Sequence, residues 1–442
     1  MKTQLEHARE QTATKQMEAV ARTENIDIDT LISRISEGSI VIMTRGNYRG
    51  NNKNTKENVS VGIGKGLSTK VNVNLGTSTL KIDPDEEVKK ARIAQMYGAD
   101  TITDLSMGGN ISMIRKLVME NTTLPITTVP IYQAAAEKGI GNINCDDFIK
   151  NLKQQADEGI SSFVLHCIDR KTLDIMKKGK RIMGVVSKGG SITSAYMMLN
   201  GCENPFISNF EEVLEILREH DIVLSLGNTM RSGCIHDKRD KAQIAEIKQN
   251  VKLAKTANEA GVQVIIEGMG GHVRADMIAG YVRFHKKQSC HPLFVAGPLP
   301  ADVAVGYDHI AGSVGASLAS GAGADYLCYI TPSEHLGLPG PEQVREGLIA
   351  FKIAAHIGDS IKYGPDERDR NLAGKRAMLD WEGQMKYAID SDRARELAPS
   401  EGPCTMCGDF CAIKIMKEFS SINCIKTYFT AKNAKDAKNG RE

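Results

Sequence analysis

Between about residues 68 and 331 the chain alternates short apolar runs with amphipathic stretches. Nine runs stand out: "KVNVNL", "TITDLS", "PITTVPIY", "SSFVLHC", "IMGVVS", "DIVLSLG", "VQVIIEG", "LFVAG" and "DYLCYIT". They are separated by pieces such as "EEVKKARIAQMYG" and "FEEVLEILREH", whose apolar residues recur at helical spacing. Repeated strand and helix at this spacing predicts parallel βαβ units, and the apolar continuity of the strands predicts a sheet covered on both faces. Eight such units over roughly 250 residues suit an α/β fold of the closed (β/α)8 type better than an open doubly wound sheet. One of the nine candidates is therefore surplus.

Four regions follow. Residues 1–60 are polar, with helical runs expected at 3–22 and 28–37 and a loop at "RGNYRGNNKNTKEN". Residues 61–340 form the barrel, 341–402 a helical segment, and 403–442 a cysteine-bearing segment whose end, "TAKNAKDAKNGRE", is too polar to bury a core.

Composition narrows the function. Lys+Arg is 56 against Asp+Glu 54, and aromatics are 5% of the chain, so neither a positive field nor a stacking surface favours nucleic acid. The start lacks the apolar core of a secretory signal, and no stretch approaches the roughly 20 apolar residues of a membrane span. A cytoplasmic protein is expected. Seven cysteines (Cys145, Cys167, Cys202, Cys234, Cys290, Cys328, Cys424) stand alone, several in apolar runs, as in a reducing compartment.

In a parallel barrel the carboxyl ends of the strands face one shared mouth. Polar residues fall there repeatedly: Asn74 after "VNV", Thr103 to Ser106, Tyr132, His166 in "VLHC", Ser187, Asn228 and Arg231 in "LGNTMR", Glu267 in "IIEG", and His335 past "YITPSE". "SKGGS" at 187–191 offers flexible N–H groups for a phosphate, with Lys188 adding charge; a plain glycine turn is the competing reading. Glu267, His272 and His335 bring one acid and two imidazoles to the same rim, and the two imidazoles suit zinc or a similar divalent ion. "GIGKGLSTK" at 62–70 precedes its strand and lacks the phosphate-loop spacing, so it is set aside.

The remaining thiols read C-x2-C-x3-C: Cys404, Cys407 and Cys411. A structural zinc needs a fourth ligand, for which Cys424 stands 13 residues on, and a zinc module for partner binding is the non-catalytic alternative. A [4Fe–4S] cubane held by three thiolates instead leaves one iron open. That iron can take the amino and carboxylate groups of S-adenosylmethionine and pass an electron to its sulfonium, giving methionine and a 5′-deoxyadenosyl radical. Such a tail must fold over a barrel mouth, its own or that of a neighbour in a dimer; the neighbour is favoured.

With these residues in place the chain resembles the phosphomethylpyrimidine synthase family over nearly its whole length, through "GIGKGLSTKVNVNLGTS", "TVPIYQA", "NPF", "GYDHI", "GADYLCYITPSEHLGLP" and "KIAAHIGD". The resemblance implies a (β/α)8 barrel, a homodimer with exchanged cluster segments, 5-aminoimidazole ribotide as substrate, and an electron donor such as flavodoxin or ferredoxin. It assigns substrate contacts to Asn74, Tyr132, His166, Ser187, Gly189, Arg231 and Glu267, a divalent metal (zinc or iron) to His272 and His335, and the cluster to the three cysteines. Thr103, Lys188, Phe294 and the run Asn228, Thr229, Met230 join the expected substrate contacts, with Glu267 and then His166 as proton carriers.

Departures collect at these motifs. The family reads "SRGG", "GDGLRPGC", "EGPGH" and C-x2-C-x4-C, where this chain has "SKGG", "GNTMRSGC", "EGMGGH" and C-x2-C-x3-C; Thr103 replaces a Met and Phe294 a Tyr. This pattern is similar to the paralogous 5-hydroxybenzimidazole synthases of anaerobic cobamide lower-ligand synthesis. They use the same ribotide and cosubstrate, and the benzimidazole product is the leading expectation. Thiamine pyrimidine synthesis is the alternative.

Overall fold

The computed structural model describes residues 2–45, 59–237 and 239–420. The expected loop beyond Arg45, Cys424 and the polar tail lie outside the described residues. The chain divides into two compact units, Met1–Gly364 and Pro365–Glu442.

In the first unit, eight parallel strands close a barrel: β3 (Lys70–Leu75), β4 (Thr101–Asp104), β5 (Ile126–Thr128), β6 (Ser162–Leu165), β7 (Val223–Leu226), β8 (Val264–Glu267), β9 (Leu293–Ala296) and β10 (Tyr326–Cys328), with β10 pairing back onto β3. The surplus strand is "IMGVVS". Its first N–H groups go to a side chain instead of a ladder, Ile182 N and Met183 N donating to Asp237 Oδ1 and Oδ2 at 2.8 and 3.1 Å. Ile182 is 73% exposed, unlike any barrel strand residue. The segment runs over the rim and enters the helix Lys188–Asn200, capped by Ser187. Tyr132 likewise lies in the first turn of the helix Pro130–Lys138, because a proline at the first helical position ends the preceding strand.

Two strands absent from the sequence reading, β1 (Ile40–Met43) and β2 (Val61–Gly64), pair antiparallel across the barrel's amino end. Val41, Met43, Val61 and Ile63 pack on Val223, Ile265, Phe294 and Tyr326 inside it. The Gln263 side chain holds β1 through Ile42, accepting its N–H at 2.7 Å and donating to its carbonyl at 3.2 Å. Above this apolar layer Asn72 Oδ1 accepts from Thr101 and Thr103, both at 2.9 Å. The expected helix 3–22 is two helices, Gln4–Arg9 and Lys15–Glu24, divided where Gln11 turns left-handed (φ 55) and Thr14 caps the second.

The barrel unit extends to Gly364, beyond the expected boundary at 340. It takes in the helix Pro341–Tyr363, whose Leu348 and Phe351 are fully buried in the barrel core. In the second unit the helices Glu367–Ala377, Trp381–Met385 and Ser391–Leu397 each begin at an aspartate cap, Asp366, Asp380 and Asp390. A 3-10 turn, Gly408–Phe410, follows between Cys407 and Cys411.

Candidate active site

A cavity of about 780 Å³ opens at the carboxyl ends of the strands. Its wall includes Asn74, Thr103, Tyr132, His166, Ser187, Arg231, Glu267, Phe294, His272 and His335, so most of the residues singled out in the sequence converge. Thr229 and Met230 do not: both are fully buried behind the wall, and their N–H groups go to Glu246 on the helix Lys241–Glu259. Asn228 lies off the wall as well, with its backbone N–H on Glu267 Oε2 at 3.1 Å and its side-chain nitrogen buried without a partner. Lys188 is exposed and stands 5.3 Å over the Tyr132 ring.

Glu267 ends β8 and is 7% exposed. Burial pushes its carboxyl above the usual range, opposed by the Arg231 guanidinium, 3.5 Å away, and by the Asn228 N–H. A carboxyl so placed keeps its proton to higher pH than an exposed one, which suits it to proton transfer. His166 Nε2 meets Ser187 Oγ at 2.7 Å while Nδ1 has no partner, and burial, with Arg231 nearby, pushes its pKa down to about 3. It is a neutral imidazole at working pH. Gly189 is required beside it, since a Cβ there would come within 2.5 Å of the ring.

His272 Nε2 and His335 Nε2 face one another at 3.4 Å. Two imidazoles bound to one tetrahedral ion at about 2.0–2.1 Å hold their nitrogens roughly 3.3–3.4 Å apart, so the pair fits a shared ion. Each ring's other nitrogen turns to a carboxylate, Nδ1 of His272 to Asp302 at 2.6 Å and Nδ1 of His335 to Asp308 at 3.5 Å, as metal-bound imidazoles do. Among the described residues no three His, Cys, Asp or Glu side chains gather as ligands of a single ion, so further ligands would come from water or substrate. The residue added before His272 is absorbed by Met269 (φ 26) and Gly271 (φ 76), where a Cβ would meet the Ser232 carbonyl at 2.2 Å.

In the second unit Cys404, Cys407 and Cys411 are free thiols. N–H groups of Cys407 and Met406 point at the Cys404 sulfur and hold its thiol below the usual range. Such N–H groups favour thiolate, the form a cluster iron binds.

Sequence reasoning passed over Cys328, Asp302, Asp308, Glu334 and Glu246. Glu334 was legible, standing beside His335 in "TPSEH" and lining the cavity. Asp302 and Glu246 carried no local signal, because their partners are 30 and 16 or 17 residues away in the chain.

A parallel (β/α)8 barrel with a polar mouth, together with a three-thiol loop suited to an iron–sulfur cluster, defines a class of cluster-dependent barrel enzymes. The chain belongs to the Radical SAM ThiC family, whose profile matches residues 3–418. It is 44% identical over 435 residues to the phosphomethylpyrimidine synthase of Dehalococcoides mccartyi, covering 95% of this chain and 99% of the relative. To phosphomethylpyrimidine synthase 1 of Methanosphaera stadtmanae it is 43% identical over 436 residues, with 95% and 99% covered. To the phosphomethylpyrimidine synthase of Ignicoccus hospitalis the identity is 42% over 428 residues, with 93% and 96% covered. Membership implies a [4Fe–4S] cluster and S-adenosylmethionine. No helix among the described residues is long and apolar enough to cross a membrane.

Proposed function

We propose that the barrel mouth binds 5-aminoimidazole ribotide and rebuilds it into a phosphorylated pyrimidine, the product for which the whole-length relatives are named. The observation that carries this reading is the meeting of Glu267, Arg231, His166 and the paired histidines in one cavity of a chain from this family. Cys404, Cys407 and Cys411 would hold the cluster, which with S-adenosylmethionine supplies a 5′-deoxyadenosyl radical when both are bound. His272 and His335 would hold a divalent ion, zinc or iron, whose positive charge polarises an oxygen or nitrogen it meets. The chain's own groups do the rest. Arg231 and the N–H groups at Ser187–Gly190 bind the anionic part of the ribotide. Glu267 holds or moves a proton at its Oε atoms, and His166, neutral and locked to Ser187, orients substrate through Nδ1. A homodimer and a flavodoxin- or ferredoxin-type donor belong to the same reading.

A second product, 5-hydroxybenzimidazole, is favoured by the departures at the wall. Just behind the wall, Asn228, whose backbone N–H donates to Glu267, has an amide side chain where the family has an acid. Phe294 stacks on Tyr326 at 4.1 Å with no hydroxyl to offer the cavity. Thr103 is a short side chain bonded to Asn72 in place of a methionine.

Anaerobic incubation of reconstituted protein with the ribotide, S-adenosylmethionine and a reductant, followed by mass spectrometry, decides between them. Hydroxymethylpyrimidine phosphate is expected on the first reading and 5-hydroxybenzimidazole on the second; neither product would remove both. Iron and sulfide in roughly cubane ratio, with a brown chromophore, are expected after anaerobic purification. Zinc at those thiolates would leave a metal-binding barrel without radical chemistry.

A further inference from the structure

Behind the cavity wall the tetrapeptide Asn228–Arg231 is gripped by two side chains that do not line the cavity. Its first three N–H groups are divided between two buried carboxylates. Asn228 N donates to Glu267 on the cavity side, while Thr229 N and Met230 N donate to Glu246 Oε1 and Oε2 at 2.7 and 2.8 Å. Its last two carbonyls go to Arg181, with Nη2 donating to Met230 O at 2.7 Å and Nη1 to Arg231 O at 3.4 Å. Arg181 is fixed in turn by Asp240, through Nε at 2.6 Å and Nη2 at 2.9 Å. Asp240 is also the N-cap of the helix that carries Glu246, so the circuit closes on itself. Glu246 is 2% exposed, and burial pushes its carboxyl up to about 7. A buried carboxylate is an expensive way to satisfy two backbone donors. Arg231 is the only Arg or Lys among the described residues of the wall, so its placement sets where negative charge can bind.

We propose that Glu246 and Arg181 are positioning residues: together they fix the Asn228–Arg231 turn so that the Asn228 N–H and the Arg231 guanidinium both face Glu267. The inference rests on the ribotide reading of the cavity only for the ligand used to test it. On the full chain without cluster, ribotide affinity measured by calorimetry is expected to fall at least tenfold in Glu246→Gln and several-fold in Arg181→Lys, which keeps the charge and loses the fork. In an Arg231→Ala background each change is expected to alter affinity less than twofold, because the effect passes through Arg231. Additive losses would overturn the proposal. In the reconstituted enzyme the acid limb of kcat/KM is expected to move to higher pH in Glu246→Gln, as Glu267 loses the Asn228 N–H. Should the wild type bind no ribotide, the substrate reading falls and the grip is decided by amide exchange. Exchange at least tenfold faster in residues 226–232, in Glu246→Gln or in Arg181→Lys if the first variant does not fold, supports it; unchanged exchange in that stretch sinks it.

Discussion

At the barrel's amino end Val41, Met43, Val61 and Ile63 close over Val223, Ile265, Phe294 and Tyr326, all 7% exposed or less. The one hydroxyl among them, on Tyr326, is bonded to Thr101 and Asn72. At the carboxyl end the same strands feed a cavity whose wall carries His166 with its Nδ1 unpartnered, and just behind that wall Asn228 Nδ2 is buried without a partner as well. Each buried polar atom without a partner costs about 1–3 kcal/mol, so the contrast separates an end selected for closure from one that keeps donors and acceptors ready for a ligand. Phe294 belongs to both, packed in the plug and lining the cavity.

If that contrast is sound, changes at the two ends will fail differently. The largest effect is expected for Glu267→Gln, which keeps the shape of the mouth and removes the group proposed to carry its proton. Turnover of the ribotide should fall about 10²- to 10⁴-fold, with no fall in the melting temperature of the cluster-free protein. A lower melting temperature with turnover intact would move Glu267 to the structural side. Ile265→Ala at the plug should do the reverse. It should cost about 2–5 kcal/mol in denaturant midpoint analysis and leave turnover per folded molecule unchanged.

The mouth was more legible in the sequence than the plug, for a physical reason. Strand-end residues such as Asn74, His166 and Glu267 are legible as a set: any one of them could be a capping or loop residue, but polar residues ending strand after strand point to a shared mouth in a parallel barrel. The plug strand β2 is "VGIG", four residues inside a glycine-bearing stretch, and its partners on β1 lie 18 to 24 residues earlier, so no local period marked the hairpin. "IMGVVS" misled for the converse reason: its apolar content serves a half-exposed rim segment whose N–H groups are claimed by Asp237, a contact 54 to 55 residues away. The grip of Glu246 on Thr229 and Met230 is equally nonlocal, which is why those two residues looked like wall and proved to be backing.

A smaller effect tests the paired histidines. Asp302→Asn leaves both imidazoles in place, weakens the partner that orients His272 Nδ1 and keeps a carbonyl oxygen for the Ile235 N–H that Asp302 also accepts. Zinc affinity measured by chelator competition should fall about 10- to 100-fold. An unchanged affinity would mean the pair does not share an ion.

The smallest expected effect is a pH slope at His166. Its folded pKa is pushed down to about 3, against roughly 6.5 in an unfolded chain. Between those values the unfolded chain binds a proton that the folded one refuses. The stability His166 contributes is therefore fully present above about 6.5 and is lost as pH falls toward 3. By about pH 5 that loss is on the order of 1–2 kcal/mol. Comparing stability at about pH 7.5 and pH 5 in the wild type and in His166→Gln isolates it, because any packing cost of the substitution cancels within each protein and the other buried histidines, His285 and His291, titrate in both. The variant should show the shallower slope by that amount. Equal slopes would mean that water already reaches Nδ1, and the mouth would then be a wet end opposite a dry plug, with no unpartnered group held ready for a ligand.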